Sequence, residues 1–169
     1  MIKNIKVGSI CEPTNRTDII LGMNMTFDDV LGIARPFVEN IQRVREATLG
    51  SVISFQYDEG RNLHLLVCHQ IGKGGWMDAD KYVRYGMDYL WKADPFREYS
   101  IVSIGTGRVG RRDGADHAAI RTAMSTSFLP VDLFILDERA PIPAEMSAKI
   151  LPFRMWDIER GEVPLRMAA

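Results

Sequence analysis

From Asn62 onward the sequence alternates between apolar runs typical of strands and amphipathic stretches typical of helices. The apolar runs are "NLHLLVCHQI", "EYSIVSIG" and "VDLFIL". One helical stretch follows from Asp78, with an apolar stripe at Val83, Met87, Leu90 and Trp91, and another runs from Asp113 to about Ser127. Because parallel strands need a crossover between them, this β-α-β-α-β order predicts an α/β protein with a mostly parallel sheet covered by helices.

The first part of the chain adds further strands. Ile2–Ile10 and Asp18–Met25 each predict a strand bounded by turn residues. "SVISFQY" and "NLHLLVCHQI" flank "DEGR", which predicts two strands joined by a tight turn. A helix is expected to begin at Thr26 and to break or kink near Pro36, because proline disfavours helical geometry in the preceding residue. A short helix over Ala144–Ile150 and a final edge strand are expected near the end.

The composition is that of a globular protein, and the 169 residues fit one domain, 1–169. Hydrophobic residues make up 46% of the chain and charged residues 25%, a balance that disordered chains do not show. The net charge of −1 provides no bulk attraction to nucleic acid or to an anionic membrane. Two distant cysteines, a start unlike a signal peptide and the lack of a membrane-spanning apolar run predict a soluble, cytoplasmic protein with no membrane partner.

The segment most suggestive of function is Gly105–Gly110, here called the glycine segment, which follows the strand-like run "SIVSI". Glycines allow backbone N–H groups to approach a phosphate closely, because no side chain blocks the approach. Three arginines lie in or beside the segment and can add charge-assisted hydrogen bonds to phosphate oxygens. The spacing alone is equally compatible with an ordinary strand-to-helix turn carrying solvated arginines.

Two better-known glycine motifs fit this segment less well. The dinucleotide-binding fingerprint expects an acidic residue roughly 20 residues after its glycines, and Asp137 lies farther along the chain than that. Too few residues follow Asp137 to build the remaining strand–helix units of such a domain. A P-loop requires Gly-Lys-Ser/Thr, which does not follow these glycines.

Ser100–Gly110 resembles a segment of the macro domain family, in which a late strand ends in a Gly-x-Gly-x-x-Gly loop that wraps the diphosphate of ADP-ribose. Leu65–Leu90 is similar in order and length to the strand, linker and helix that precede that loop in the family. Val7–Ile10 and Asp18–Met25 are loosely similar to the family's first binding segments. The resemblance extends from about Lys6 to Leu136 and implies a three-layer α/β/α fold with a mixed, mostly parallel sheet.

The resemblance implies a ligand site at the carboxyl ends of the strands. The residues that it assigns to the site are Ser9, Ile10, Asn24, Gly105, Thr106, Gly107, Arg108, Val109, Gly110 and Arg111. The glycine segment would hold the diphosphate, mainly through backbone N–H groups. Arg111, where the family usually has an aromatic residue, would cap the distal ribose or a terminal phosphate. Asn24, one residue short of the family's second asparagine, would hydrogen-bond the distal ribose. Ile10 would line the adenine pocket, and Ser9 stands where the family usually has the aspartate that holds adenine.

Three functions follow as hypotheses. The chain binds ADP-ribose or a related nucleoside diphosphate; or it hydrolyses ADP-ribosylated substrates or ADP-ribose phosphate; or it is a macro-like scaffold that contacts other proteins without a nucleotide. No catalytic residue is assigned, because the family's Gly-Gly-Gly stretch, which carries many of its hydrolase residues, has no counterpart after Asn24. No cofactor is expected, nucleic acid is not an expected partner, and the oligomeric state stays open.

His64, Cys68 and His69 invite a metal-site interpretation, which strand geometry disfavours. A regular strand places His64 and Cys68 on one face, about 13 Å apart, and His69 on the other. Zinc ligands lie about 2 Å from the metal, so these residues are not expected to share an ion, and no metal is predicted.

Polar and aromatic residues near the glycine segment have two possible roles each. Asp113, Asp116 and His117 can serve as general acids and bases, but acids in a first helical turn more often act as caps. Trp76 and Met77 can cover a ligand as a lid, but a tryptophan more often anchors its loop onto the core. Capping and anchoring are the favoured interpretations.

Overall fold

The computed structural model describes residues 1–26, 47–106, 108–135 and 153–156. The strands are β1 (Ile2–Val7), β2 (Asp18–Asn24), β3 (Val52–Gln56), β4 (Asn62–His69), β5 (Tyr99–Val102), β6 (Val131–Ile135) and β7 (Phe153–Trp156). The helices are α1 (Ala79–Ala93), α2 (Arg108–Asp113) and α3 (His117–Thr126). The helix expected from Thr26 to beyond Pro36 and the helix expected over Ala144–Ile150 fall outside the described residues.

The strands form one sheet in the order β1-β6-β5-β2-β4-β3-β7. The five strands β1, β6, β5, β2 and β4 are parallel, while β3 is antiparallel to β4 and β7 is antiparallel to β3. The prediction of an α/β protein with a mixed, mostly parallel sheet is confirmed. The hairpin around "DEGR" produces the antiparallel step, and α1 forms the crossover from β4 to β5.

Both faces of the central strands β2, β4 and β5 are buried, as their near-continuous apolar sequences require, whereas the edge strand β1 is mostly exposed. Along β2, Ile20 belongs to a core cluster that includes residues of α1 and α3, whereas Ile19 and Leu21 belong to a second cluster. The period of two along a strand accounts for this division between faces. Burial on both sides is what a three-layer arrangement demands. No helix of the described residues has the length and apolar character needed to cross a bilayer.

The helix α1 lies close against β4 because Gly86 faces the sheet. A Cβ added at Gly86 would lie 2.7 Å from Leu66 Cγ, which is inside normal contact distance. The predicted apolar stripe is buried at Val83, Met87 and Leu90, but Trp91 is 37% exposed and contacts Phe128 at the edge of the helix. The stripe therefore faces the core, except at its last member.

A hydrogen-bonded ionic network fastens the amino ends of the parallel strands. Asp18, the first residue of β2, accepts hydrogen bonds from the Arg97 guanidinium at 2.9 and 3.0 Å and from the Asn62 backbone N–H at 2.8 Å. His64 Nε2 lies 3.2 Å from the same carboxylate. Burial by itself would raise the pKa of Asp18, but the hydrogen bonds outweigh it and lower the pKa to about 2. The network joins β2, β4 and the start of β5 at one edge of the sheet.

We predict that Gly86→Ala destabilises the fold, although alanine favours helices more than glycine does. The added methyl group would overlap buried Leu66, so the free energy of unfolding should fall by about 1–2 kcal/mol after the gain in helix propensity is subtracted. Gly60→Ala is the control, because no atom lies within 4 Å of a Cβ at that turn. Urea unfolding of both variants checks this prediction. Equal stability of the two variants would contradict the close packing of α1 on β4.

Candidate functional site

The carboxyl ends of the parallel strands bring most of the predicted site residues to one edge of the sheet. Ser9 follows β1, Asn24 ends β2, and Gly105 follows β5. The end of β4 contributes a residue that was not predicted for the site, His69. In open α/β sheets this edge is where ligands bind, so the candidate site is built from the strand ends upward.

The glycine segment makes a sharp bend directly after β5. Gly105 has φ +80°, a left-handed conformation that glycine adopts without strain. A Cβ at Gly110 would lie 2.0 Å from the carbonyl oxygen of Gly105, so at this position only glycine fits without displacing the main chain. Thr106 is exposed, and its hydroxyl donates to the Ser103 carbonyl oxygen at 3.0 Å. Gly105 and Gly110 therefore approach each other closely, main chain against main chain, in a narrow turn at the carboxyl edge.

The chain becomes helical earlier than the sequence indicated. A single helix from Asp113 to about Ser127 was predicted, and the structure has two: α2 begins at Arg108, inside the glycine segment, and α3 begins at His117. Gly114, with φ +85°, ends α2, and the Asp116 carboxylate accepts a hydrogen bond from the Ala119 backbone N–H at 3.0 Å. Asp116 therefore caps α3, as the capping interpretation expected, whereas Asp113, which was expected in a first helical turn, is the last residue of α2.

Two of the predicted site residues near the amino terminus, Ser9 and Ile10, make contacts within the protein itself. Strand β1 ends at Val7, three residues before the predicted end, because Gly8 turns the chain with φ +135°. The Ser9 hydroxyl accepts a hydrogen bond from the Cys11 backbone N–H at 3.3 Å. Ile10 is fully buried, and its carbonyl oxygen accepts a hydrogen bond from Asn15 Nδ2 at 2.8 Å. The Ile10 side chain belongs to the core cluster that also holds Ile19.

Asn24 is buried at the end of β2 and organises the turn that follows. Its Oδ1 accepts hydrogen bonds from the Thr26 backbone N–H at 2.9 Å and from the Thr26 hydroxyl at 3.0 Å. These are the bonds by which asparagine stabilises a turn. Asn24 thus lies at the carboxyl edge of the sheet, where it is buried and its amide oxygen is hydrogen-bonded to Thr26.

The arginines near the glycine segment differ in their surroundings. Arg111 and Arg112 are exposed at the end of α2. Arg112 forms an ion pair with Asp113 at 2.6 Å, and Asp113 also accepts a hydrogen bond from the Gly72 backbone N–H at 3.1 Å. The Arg112 guanidinium is the main cause that lowers the pKa of Asp113 to about 2. Gly107 and the side chain of Arg108 lie outside the described residues.

His69 and Trp76 form a stacked pair beside the glycine segment. Their ring centroids are 3.8 Å apart with an angle of 11° between the planes, and both residues are buried. The anchoring interpretation of Trp76 is confirmed, whereas Met77 is 74% exposed. A Cβ at Gly105 would lie 3.4 Å from Trp76 Cζ3, so the indole ring packs directly against the first glycine of the segment.

The expected placement of His69 on the opposite face of β4 from Cys68 is wrong. Cys68 Sγ lies 3.6 Å from His69 Nδ1. The register explains the error: Met23 pairs with Val67 and Asn24 pairs with His69, so β4 has one extra residue, Cys68, at this point. A bulge of this kind redirects the side chains that follow it, and the period of two does not predict it.

The titratable groups of this region are poorly suited to nucleophilic catalysis. Complete burial raises the pKa of the Cys68 thiol to about 12, so the reactive thiolate does not form near neutral pH. Burial also lowers the pKa of His69 to about 4, against a smaller opposing effect of the Asp113 carboxylate. His69 is therefore neutral at physiological pH.

A serine, a histidine and an aspartate meet elsewhere in the fold, and their surroundings exclude a hydrolase triad. Ser54 Oγ lies 2.6 Å from His64 Nδ1, and Asp18 binds the other ring nitrogen. Ser54 is 2% exposed, so no substrate carbonyl can reach its hydroxyl. The trio belongs to the network that joins the amino ends of the strands. Within the described part of the chain, no group of three or more His, Cys, Asp or Glu side chains has a metal-binding arrangement.

The link between the glycine segment and the turn after β4 was not predicted from the sequence. Trp76 and Asp113 were considered separately, but they make two contacts between the same two segments. Trp76 of the turn packs against Gly105, and Asp113 at the end of α2 accepts a hydrogen bond from Gly72 of the turn. The dense glycines around Lys73 were the signal, because a tight turn at a strand end often lies beside a ligand site.

Several solved structures that are similar to this chain in fold are macrodomains. The chain matches the macrodomain of Mycobacterium tuberculosis DarG with a TM-score of 0.61 and 12% identity, over 80% of this chain and 97% of that one. It matches a macrodomain protein from Streptomyces coelicolor with a TM-score of 0.55 and 14% identity, over 78% and 98%. It also matches Thermosipho africanus DarTG in complex with ADP-ribose, with a TM-score of 0.58 and 11% identity, over 86% of this chain and 45% of that chain.

The chain therefore has the macrodomain fold, as the resemblance of its sequence implied. No protein-family model matches the sequence, and neither does any curated protein sequence. The likeness thus resides in the order and packing of the strands and helices rather than in shared residues.

We predict that His69 makes the fold sensitive to mild acid. Between its ordinary pKa of 6.5 and its folded pKa of about 4, the unfolded chain binds a proton at His69 and the folded chain does not. Stability should therefore fall as the pH drops through this window, by roughly 2–3 kcal/mol in total. His69→Phe should flatten the profile of unfolding free energy from pH 6.5 to 4, whereas His117→Gln, at an exposed position, should leave it unchanged. Parallel profiles for wild type and His69→Phe would contradict the burial of a neutral imidazole.

Proposed function

We propose that the chain binds ADP-ribose or a related nucleoside diphosphate, with the diphosphate held by the glycine segment at the carboxyl edge of the sheet. The observation that carries the proposal is the close contact of Gly110 with the carbonyl of Gly105, which forms a tight glycine-bounded turn shortly after β5. Backbone N–H groups in such a turn can approach phosphate oxygens without obstruction by side chains.

Local charge supports an anionic ligand. The chain as a whole is nearly neutral, but Arg111 and Arg112 stand exposed in the last turn of α2, immediately after the glycine segment. Asp113 is paired with Arg112, and Arg111 lies exposed beside this pair at the end of α2. Guanidinium groups make charge-assisted, often bidentate hydrogen bonds to phosphate. We infer that Arg111 contacts a phosphate or the distal ribose.

The fold supports a nucleotide as the class of ligand. A structure with the same fold is a complex with ADP-ribose, and the glycine segment follows β5 at the edge of the sheet where α/β proteins bind ligands. Fold alone does not determine function, so the proposal depends on the glycine turn and its arginine.

Binding is favoured over hydrolysis by the state of the nearby titratable groups. Asp113 accepts bonds from Arg112 and Gly72, and its lowered pKa makes it a weak base. The Cys68 thiol and the His69 imidazole are buried and neutral. A module that retains ADP-ribose without cleaving it requires none of these groups to react.

We predict that Arg111→Glu weakens ADP-ribose binding measured by titration calorimetry by about tenfold or more, because it replaces attraction to phosphate with repulsion. Arg121→Glu changes the net charge equally at another exposed position, on α3, and should bind like wild type. AMP and NAD serve as comparison ligands. Similar affinity in the two charge-reversal variants would remove Arg111 from the site.

Gly110→Ala tests the turn itself. The methyl group would collide with the Gly105 carbonyl, so the turn must open and ADP-ribose binding should fall below detection. Gly60→Ala, at the opposite edge, should retain wild-type affinity. If wild type binds no nucleotide, the scaffold hypothesis gains support. Turnover of an ADP-ribosylated peptide by wild type, abolished in Gly110→Ala, would establish the hydrolase hypothesis instead.

A further inference from the structure

The turn between β4 and α1, Gln70–Trp76, contacts the glycine segment and its helix at two separate points; it is called the bracket segment below. At one end, Trp76 Cζ3 lies 3.4 Å from the position of a Cβ on Gly105. At the other, the Gly72 backbone N–H donates to Asp113 Oδ2 at 3.1 Å. Gly105 and Asp113 are the first and last residues of the stretch that makes the glycine turn and α2.

The bracket segment is itself fixed to the sheet. The Gln70 N–H donates to the Gly75 carbonyl oxygen at 2.8 Å, and the Gly75 N–H donates to the Gly72 carbonyl oxygen at 2.9 Å. A Cβ at Gly75 would lie 2.1 Å from the Gln70 carbonyl oxygen, so the turn is closed on its own main chain. The stacking of Trp76 on His69, the last residue of β4, ties the segment to a strand end.

The stacked pair is not the arrangement that stability alone would favour. His69 Nε2 and Trp76 Nε1 are buried and have no hydrogen-bond partner among the described residues. An unsatisfied buried polar group is destabilising, and two apolar rings of similar size would avoid the penalty. Such departures from stable packing concentrate at functional sites. The position of these rings against Gly105 indicates which site is concerned.

We propose that Trp76 and Asp113 are positioning residues for the glycine segment: together they fix the distance between Gly105 and the end of α2, and hence the arrangement of the backbone N–H groups, before a ligand arrives. The inference rests on the proposed function, since it concerns the same diphosphate site. Neither side chain has to contact the ligand. Their effect is preorganisation, which strengthens binding by removing the cost of ordering the loop.

The experiment removes each contact and measures ADP-ribose affinity by titration calorimetry well below the unfolding temperature. Trp76→Ala and Asp113→Ala should each weaken binding by about tenfold, because a displaced binding loop loses contacts it would otherwise make together. Trp91→Ala removes a tryptophan from the outer edge of α1. Asp94→Ala removes a carboxylate that accepts a backbone N–H, from Phe96, at the opposite edge. Both control variants should bind within twofold of wild type.

A second readout separates positioning from general stability. Amide hydrogen exchange across residues 105–112 should quicken in Trp76→Ala and Asp113→Ala, while exchange in β2 and β4 stays at the wild-type rate. His69→Phe keeps a ring against Trp76 and removes the unsatisfied imidazole, so it should retain ADP-ribose affinity within twofold. Loss of affinity in folded His69→Phe would show that the imidazole itself contacts the ligand, which would overturn the positioning role.

The outcomes distinguish this inference from the proposed function. If wild type binds no nucleotide diphosphate, the proposed function fails and the inference fails with it. If wild type binds and the folded Trp76→Ala and Asp113→Ala variants bind equally well, only the positioning role is overturned. Asp113→Ala decides the matter if Trp76→Ala does not fold, because Asp113 lies at the end of a short helix rather than in the core stack.

Discussion

The contact of Gly110 with the carbonyl oxygen of Gly105 is the constraint on which the carboxyl edge of this fold depends. Because glycine has no Cβ, the main chain at Gly110 can fold back against Gly105 within six residues, and α2 begins at Arg108. Arg111 lies just beyond this turn. A longer or bulkier connection between β5 and α2 would separate these features and leave no compact surface for a diphosphate.

The two edges of the parallel sheet are built on opposite principles. At the amino edge, the Asp18 carboxylate is surrounded by partners from Asn62, His64 and Arg97, and this pairing holds the strand starts together. At the carboxyl edge, glycines make close main-chain contacts, and the stacked rings of His69 and Trp76 bury nitrogens that no described residue satisfies. The amino edge is thus held by hydrogen bonds, whereas the carboxyl edge, where the proposed ligand would bind, keeps buried polar atoms without partners among the described residues. Proteins commonly place local departures from ideal packing at functional sites.

Much of the architecture could be predicted from the sequence because it depends on periodicity. The alternation of strand-like and helix-like segments after Asn62 indicates crossover connections, and such connections join parallel strands. The course of the chain around Asp113 could not be predicted, because the acid resembles a helix start in sequence and acts instead as a partner of Gly72, far away in the chain. His69 was misplaced for a related reason: the extra residue in β4 is a property of its pairing with β2, and no local pattern records it. The site residues implied by the resemblance lie in different surroundings: Ile10 is part of the core, while Gly105 lies beyond the carboxyl end of β5.

The most direct test of diphosphate binding by the glycine segment is an NMR titration of ¹⁵N-labelled protein with ADP-ribose. We expect the largest chemical-shift changes at the backbone amides of Gly105, Thr106, Val109 and Gly110, and no change at the amides of the Asp18 network at the other edge. Saturable binding whose shifts leave these four amides unaffected, or no shift at millimolar ligand, would contradict this expectation.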